Sequence, residues 1–106
     1  MTETGEQVRE KPRIGEVYDI ALSRGISCRG RYIGKMRTTV GTDHHFVTRG
    51  EEHDGSLSVI CLGTTNTVVD GNKVSQTIGG CPRVLPIPAS NPDYEYLLEQ
   101  LEEAGL

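Results

Sequence analysis

Hydrophobic and polar residues alternate along much of the chain with the two-residue period that is typical of β-strands. In the segment 17–23, Tyr18, Ile20 and Leu22 fall on one face, and polar or small residues fall on the other. The segment 26–34 alternates in the same way, and a glycine-containing turn joins it to the first segment. These two segments predict a β-hairpin with one buried face.

The alternating pattern continues through the middle of the chain. The segment Asp70-Gly71-Asn72 separates two short runs of β-branched residues, and glycine and asparagine accept the positive φ angles that a tight hairpin turn requires. Prolines restrict the segment 83–87 to an edge strand or an extended connection. Four further strands are predicted, at 44–48, 57–63, 66–69 and 73–78.

The hydrophobic period changes from two residues to that of a helix near the end of the chain. Residues 92–104 predict an amphipathic helix, with Pro92 at its first position and Ser90 or Asn91 available as its N-cap. The apolar stripe of this helix consists of Tyr94, Leu97, Leu98 and Leu101.

Six strands followed by one helix predict a mainly β fold. We expect a small antiparallel barrel of the OB or SH3-like kind with a C-terminal α-helix, and a sandwich is the alternative. Residues 1–13 are polar and charged without hydrophobic periodicity, so they predict a flexible leader. Residues 14–106 then form a single domain, in agreement with the length of 106 residues.

Composition narrows the cellular context. No segment approaches the roughly 20 apolar residues of a membrane span, and the N-terminus has no apolar run of a signal peptide. The cysteines, Cys28, Cys61 and Cys81, lack the number and spacing of a disulfide scaffold, so we expect free thiols that are mostly buried. The sequence predicts a cytoplasmic protein without a membrane partner.

Charge is distributed unevenly, although the net charge is only −4. Residues 21–50 contain six basic residues and one acidic residue, whereas residues 91–106 contain five acidic residues and no basic one. If the second strand runs on through Gly34, alternation places four bases on one side, where they would neutralise a phosphate backbone. The alternative is a solvated face whose bases pair with the acidic helix of the same or a neighbouring molecule. This basic stripe consists of Arg29, Arg31, Lys35 and Arg37.

A protein that binds single strands also uses exposed rings on which bases stack. Tyr32 and Phe46 are expected in the core, which leaves His44 and His45 as candidates for stacking, one from each face. Residues 43–54 contain three histidines and two aspartates, a composition that suggests a metal site. Adjacent histidines on a strand point to opposite faces, however, so we predict no metal ion here.

No catalytic constellation is recognisable in the sequence. Cys61 is the best candidate nucleophile, but alternation places it with Leu57 and Val59 in the core, where a thiol is inert. Gly30 and Gly34 lack the strand-to-helix context that a phosphate-binding loop requires. We therefore predict a protein that is not an enzyme and uses no cofactor.

Several segments, in order, resemble the TRAM domain, a small OB-like barrel associated with RNA. The resemblance lies in residues 14–22, the pair Arg29-Gly30, the pair Phe46-Val47 and residues 54–59. The opening Gly-x-x-Tyr-x-Val/Ile strand of that family and its later Phe-Val step match, whereas its glycine-rich stretch is replaced by residues 28–34. This resemblance implies an OB-type barrel that binds RNA.

A second resemblance is to Sm-like barrels. It lies in Gly25, in the bent segment 30–34 and in residues 68–72 near the end of the strands. The Asp-x-x-Met-Asn element with which those proteins bind RNA bases is missing, so this resemblance implies the barrel shape alone.

Two functions are predicted from these features. The first is a small non-catalytic module that binds RNA or single-stranded nucleic acid through a basic strand face. The alternative is a protein-protein interaction or assembly module, in which the acidic helix 92–104 or the basic face docks a partner or a second copy. The candidate nucleic-acid-binding residues are Arg29, Arg31, Lys35, Arg37, His44 and His45.

Overall fold

The computed structural model of the chain describes residues 11–23, 25–39, 41–49, 56–77 and 80–106. These residues form seven strands and one helix, and each segment that alternation predicts as a strand is a strand. The proline-containing segment is a strand as well. The elements are β1 Val17–Ser23, β2 Ile26–Thr38, β3 Gly41–Arg49, β4 Leu57–Gly63, β5 Thr67–Asp70, β6 Lys73–Gln76, β7 Arg83–Ile87 and α1 Tyr94–Glu103.

The seven strands belong to one sheet with the order β5-β6-β1-β2-β3-β4-β7. The predicted mainly β class with one C-terminal helix is confirmed. The expectation of antiparallel pairing throughout is wrong for β1 and β6, which pair in parallel. Within the described residues the ladders leave β5 and β7 as the two edges, so strand pairing does not close the sheet into a barrel.

The sheet is strongly curled even though it is open. In the strand order β4 and β5 are five positions apart, about 24 Å in a flat sheet. Residues 64–66 alone connect these strands, and such a connection spans at most about 14 Å. The Thr67 Oγ1 donates a hydrogen bond to the Gly63 carbonyl over 2.7 Å, so the start of β5 lies beside the end of β4. The curl gives the sheet an inner and an outer face.

The inner face encloses a core of aromatic and aliphatic side chains. Tyr18 packs edge-on against Phe46 with ring centroids 5.9 Å apart, and Tyr32 lies 5.1 Å from the same ring. Tyr32 and Phe46 are therefore core residues, as the sequence predicts. The cluster is completed by Ile20, Ile60, Leu62, Val69 and Val74.

The helix α1 covers part of the outer face, where Leu97 and Leu101 pack against buried residues of β3 and β4. It spans Tyr94–Glu103 within the predicted range 92–104, and a turn precedes it. The Asn91 side chain accepts a hydrogen bond from the Asp93 amide over 2.8 Å in that turn. No helix in the described part of the chain has the length and hydropathy needed to cross a bilayer.

The N-terminal segment that the sequence predicts as a flexible leader is described only in part. Residues 1–10 lie outside the described residues. In the remainder, the Arg13 amide donates a hydrogen bond to the Tyr18 hydroxyl over 2.8 Å, and the Arg13 carbonyl accepts one from Glu16. Arg13 therefore lies against the sheet next to β1.

Candidate nucleic-acid interface

The four bases of the predicted stripe lie on two different faces of the sheet. The strand β2 does run through Gly34, as a continuous stripe requires. The ladder with β3 shifts register between Tyr32 and Gly34, however, which makes Ile33 an extra residue. An extra residue reverses the alternation beyond it, so the prediction of one stripe is wrong. The outer face carries Arg29 and Arg31, and the inner face carries Lys35 and Arg37.

The guanidinium of Arg31 is held by the molecule's own helix. Its Nε donates to the Gly15 carbonyl over 3.0 Å. Its Nη1 lies 3.1 Å from the carbonyl and the side-chain oxygen of Gln100 and 3.1 Å from a carboxylate oxygen of Glu103. The Arg31 side chain is 17% exposed. Arg31 therefore stabilises the docking of α1, and for this base the predicted alternative of pairing with the acidic helix applies.

Lys35 lies at the rim of the inner face beside bases from the start of the described chain. A hollow of about 140 Å³ is lined by Lys11, Lys35 and His44. Lys11 also lines an adjoining hollow of about 570 Å³ together with Arg13, where Glu16 is the carboxylate in the lining. Two residues beyond Lys35, Arg37 is exposed on the same face of β2. We call the surface formed by Lys11, Arg13, Lys35 and Arg37 the basic cleft.

His44 forms part of the floor of the basic cleft and is not available for stacking. It is 7% exposed, and its Nδ1 shares a hydrogen bond of 2.8 Å with the Tyr32 hydroxyl. Burial lowers the pKa of His44, and the nearby Lys35 lowers it further. Burial raises the pKa of Tyr32. Both groups are therefore neutral near pH 7, and the predicted stacking role does not fit the placement of His44.

His45 lies on the outer face, away from the basic cleft. It is directly opposite Cys61 in the ladder between β3 and β4. Burial lowers the pKa of His45, and the Asp43 carboxylate partly offsets this effect. The two adjacent histidines therefore point to opposite faces, as strand alternation predicts, and only His44 belongs to the cleft.

Two basic residues of the cleft were missed by the sequence analysis. Lys11 and Arg13 belong to the segment that polarity alone assigns to the leader. The signal in the sequence is that they flank Pro12, which fixes its own φ and favours an extended conformation in the residue before it. Two hydroxyl residues near the end of β4, Thr64 and Thr67, also line the cleft, although nothing in their pattern indicates it.

A second concave surface lies on the outer face, between β7 and the first turns of α1. It is a groove of about 440 Å³, and Met36, Leu85 and Tyr96 around it are exposed. Tyr96 is aromatic, and 54% of its surface is accessible to solvent. We call this surface the apolar groove. It is the apolar counterpart of the basic cleft on the other side of the sheet.

Comparisons with protein families, with curated proteins and with solved structures found no match to the chain.

Proposed function

We propose that the protein is a non-catalytic module that binds single-stranded nucleic acid, RNA above all, in the basic cleft. The observation that carries the proposal is the convergence of Lys11, Arg13 and Lys35 around two adjoining hollows with one carboxylate in their lining. Such a group of cations attracts a polyanion and displaces its counterions. Arg37 extends the cationic surface along β2.

Recognition in the cleft is proposed to occur through phosphates, with little contribution from stacking. Tyr32 and Phe46 are in the core, and His44 is buried below the cations. Thr64 lines the same hollow, and its hydroxyl is suited to phosphate oxygens. Binding by these groups is expected to depend strongly on salt and only weakly on base sequence.

The proposed architecture and context follow the sequence analysis. The resemblance to the TRAM domain supports an OB-type barrel as the finer description of the curled sheet, and RNA as the partner. The resemblance to Sm-like barrels supports the barrel shape alone. A cytoplasmic location is part of the same proposal.

The test is fluorescence anisotropy with short single-stranded RNA and DNA oligomers near 0.1 M salt. Arg37→Gln is compared with Arg29→Gln, since both residues are exposed arginines of β2 on opposite faces and both changes remove one charge. We expect Arg37→Gln to weaken binding about fivefold, which is the counterion contribution of one phosphate contact at this salt concentration. We expect Arg29→Gln to have no effect. Absence of binding at low salt, or an equal loss in both variants, would contradict the proposal.

Assembly with a second copy of the chain through the apolar groove is the second candidate function. It is favoured by the exposure of Met36, Leu85 and Tyr96 around one groove, because exposed apolar patches of this kind often mark interfaces. The acidic side chains of α1 and the exposed Arg29 on the same outer face would add charge complementarity between copies. Light scattering tests it: a dimer that Tyr96→Ser converts to a monomer supports assembly, and a monomer at high concentration excludes it.

A further inference from the structure

We propose that Asp43, His45 and Cys61 on the outer face form a binding site for a divalent transition-metal ion of the zinc type. The site is separate from the basic cleft and does not depend on the proposed function. It also differs from the cluster of histidines in residues 43–54 that the sequence suggested, because Cys61 comes from the next described strand.

The sheet itself brings the three side chains together. Asp43 and His45 are two residues apart on β3 and therefore share the outer face. Cys61 of β4 lies directly opposite His45 in the ladder. One ligand atom from each residue lies within 4.8 Å of the other two.

The donor set suits zinc better than a hard cation. Thiolate, imidazole and carboxylate are the usual ligands of Zn²⁺, at about 2.3, 2.0 and 2.1 Å, whereas calcium and magnesium prefer oxygen ligands alone. In a tetrahedral site with such bonds the ligand atoms lie roughly 3.3 to 3.8 Å apart. Closing the observed separations to these values requires side-chain shifts of an ångström or less. Three protein ligands would leave the fourth position to water or to a bound molecule.

The apolar groove supplies a route to this site. His45 lines the groove and is only partly buried, whereas Asp43 and Cys61 behind it are buried. An ion that enters through the groove therefore meets the imidazole first. The open fourth position would then face the groove, since the sheet and its core lie on the other sides of the ligands.

Arg83 of β7 orients the carboxylate in this cluster. Its Nη2 donates to Oδ2 of Asp43 over 2.7 Å, and Arg83 lies opposite Cys61 in the ladder. This contact engages Oδ2, and a carboxylate has a second oxygen that can accept an ion. A partner that holds a ligating carboxylate in place is a usual feature of metal sites. Arg83 also balances the charge of Asp43 when the site is empty.

The same three residue types also occur in cysteine hydrolases, but the placement of Cys61 argues against a nucleophile. Its side chain is 2% exposed among the apolar residues beneath α1. Burial raises the pKa of the Cys61 thiol, so the thiol stays protonated in the absence of a metal ion. Metal binding would remove that proton to solvent, because the thiolate is the ligand.

The test is titration of the purified, reduced protein with Co²⁺, which gives a thiolate-to-cobalt charge-transfer band and visible d–d bands when a cysteine is a ligand. We expect binding of one ion per chain and its displacement by Zn²⁺. Cys61→Ser and His45→Gln should each weaken binding at least about 100-fold, because even outer-sphere partners contribute roughly 10- to 100-fold. Cys81→Ser, at an exposed cysteine, is the matched control and should leave affinity unchanged.

A second measurement protects the test from variants that fail to fold. X-ray absorption of the zinc-loaded wild-type protein should show one sulfur ligand among nitrogen and oxygen ligands. The proposal is overturned if the folded wild-type protein binds neither ion stoichiometrically or if the bound zinc has no sulfur ligand. Unchanged affinity in folded His45→Gln and Cys61→Ser variants would also overturn it.

Discussion

Gly30 lies in the middle of β2, where both neighbouring strands approach its Cα. A methyl group at this position would lie 3.1 Å from the Val47 carbonyl oxygen, 3.1 Å from the Ile20 side chain and 3.2 Å from the Phe46 Cβ. The carbonyl and the Cβ cannot move without moving β3. Close packing therefore requires glycine at this position. The backbone conformation does not require it, since Gly30 is not among the glycines with positive φ.

We predict that Gly30→Ala lowers the free energy of unfolding by about 1 to 3 kcal/mol, the usual cost of overpacking a core. Gly63→Ala is the control, since a methyl group there would have its nearest neighbours at 3.8 and 4.0 Å. Urea unfolding followed by circular dichroism measures both. Equal stability of the two variants would show that the neighbouring strands yield to the methyl group.

The hydrogen bonds of Arg31 join β2 to α1 and to the segment before β1. Arg31→Gln removes its bonds to the Gly15 and Gln100 carbonyls and to Glu103. We expect a loss of about 1 to 3 kcal/mol in the free energy of unfolding, most of it from the two carbonyls, because Glu103 is exposed and its ion pair is screened by water. Arg29→Gln, an exposed arginine two residues away on the same face, should cost little in the same urea titration.

Strand alternation predicted the burial of individual residues well but failed beyond one extra residue. Tyr18, Ile20 and Tyr32 were assigned to one face by alternation, and Phe46 was expected in the core as the only phenylalanine. The register shift at Ile33 depends on how β2 pairs with β3, which is not a local property of the sequence. The sequence analysis therefore placed Lys35 and Arg37 on the face with Arg29 and Arg31, whereas they lie on the other face of the sheet.

At the scale of elements, α1 is attached to the sheet chiefly by two leucines. Leu97 and Leu101 are buried in the outer cluster with Val47 and Val59. The helical spacing of apolar residues made this docking predictable, since a stripe three and four residues apart needs a covered surface. The strand that it covers was not predictable, because nothing local in residues 92–104 specifies a partner.

Leu101→Ala should destabilise the protein by about 2 to 5 kcal/mol, the range for truncation of a fully buried leucine. Glu99→Ala on the exposed side of the same helix is the control, and we expect it to change the free energy of unfolding by less than about 0.5 kcal/mol. Thermal or urea unfolding measures the difference. A small effect of Leu101→Ala would mean that α1 does not contribute to the cooperative core.

At the scale of the whole molecule, the path of the chain brings distant segments into each candidate site. The basic cleft combines Lys11 and Arg13 with the second half of β2, and the proposed metal site joins residues of β3 and β4. The strands themselves were predictable from period and turn signals. The parallel pairing of β1 with β6 and the curl of the sheet were not, since they depend on contacts between residues far apart in sequence.

The salt dependence of nucleic-acid binding tests the central claim most directly, because it counts the cations that contact phosphates. With four contacts from Lys11, Arg13, Lys35 and Arg37, the logarithm of the affinity should fall with a slope of about −3 against the logarithm of salt concentration. Arg37→Gln should reduce the magnitude of this slope by about 0.7, and Arg29→Gln should leave it unchanged. A slope near zero, or the same reduction in both variants, would contradict a basic cleft on the inner face.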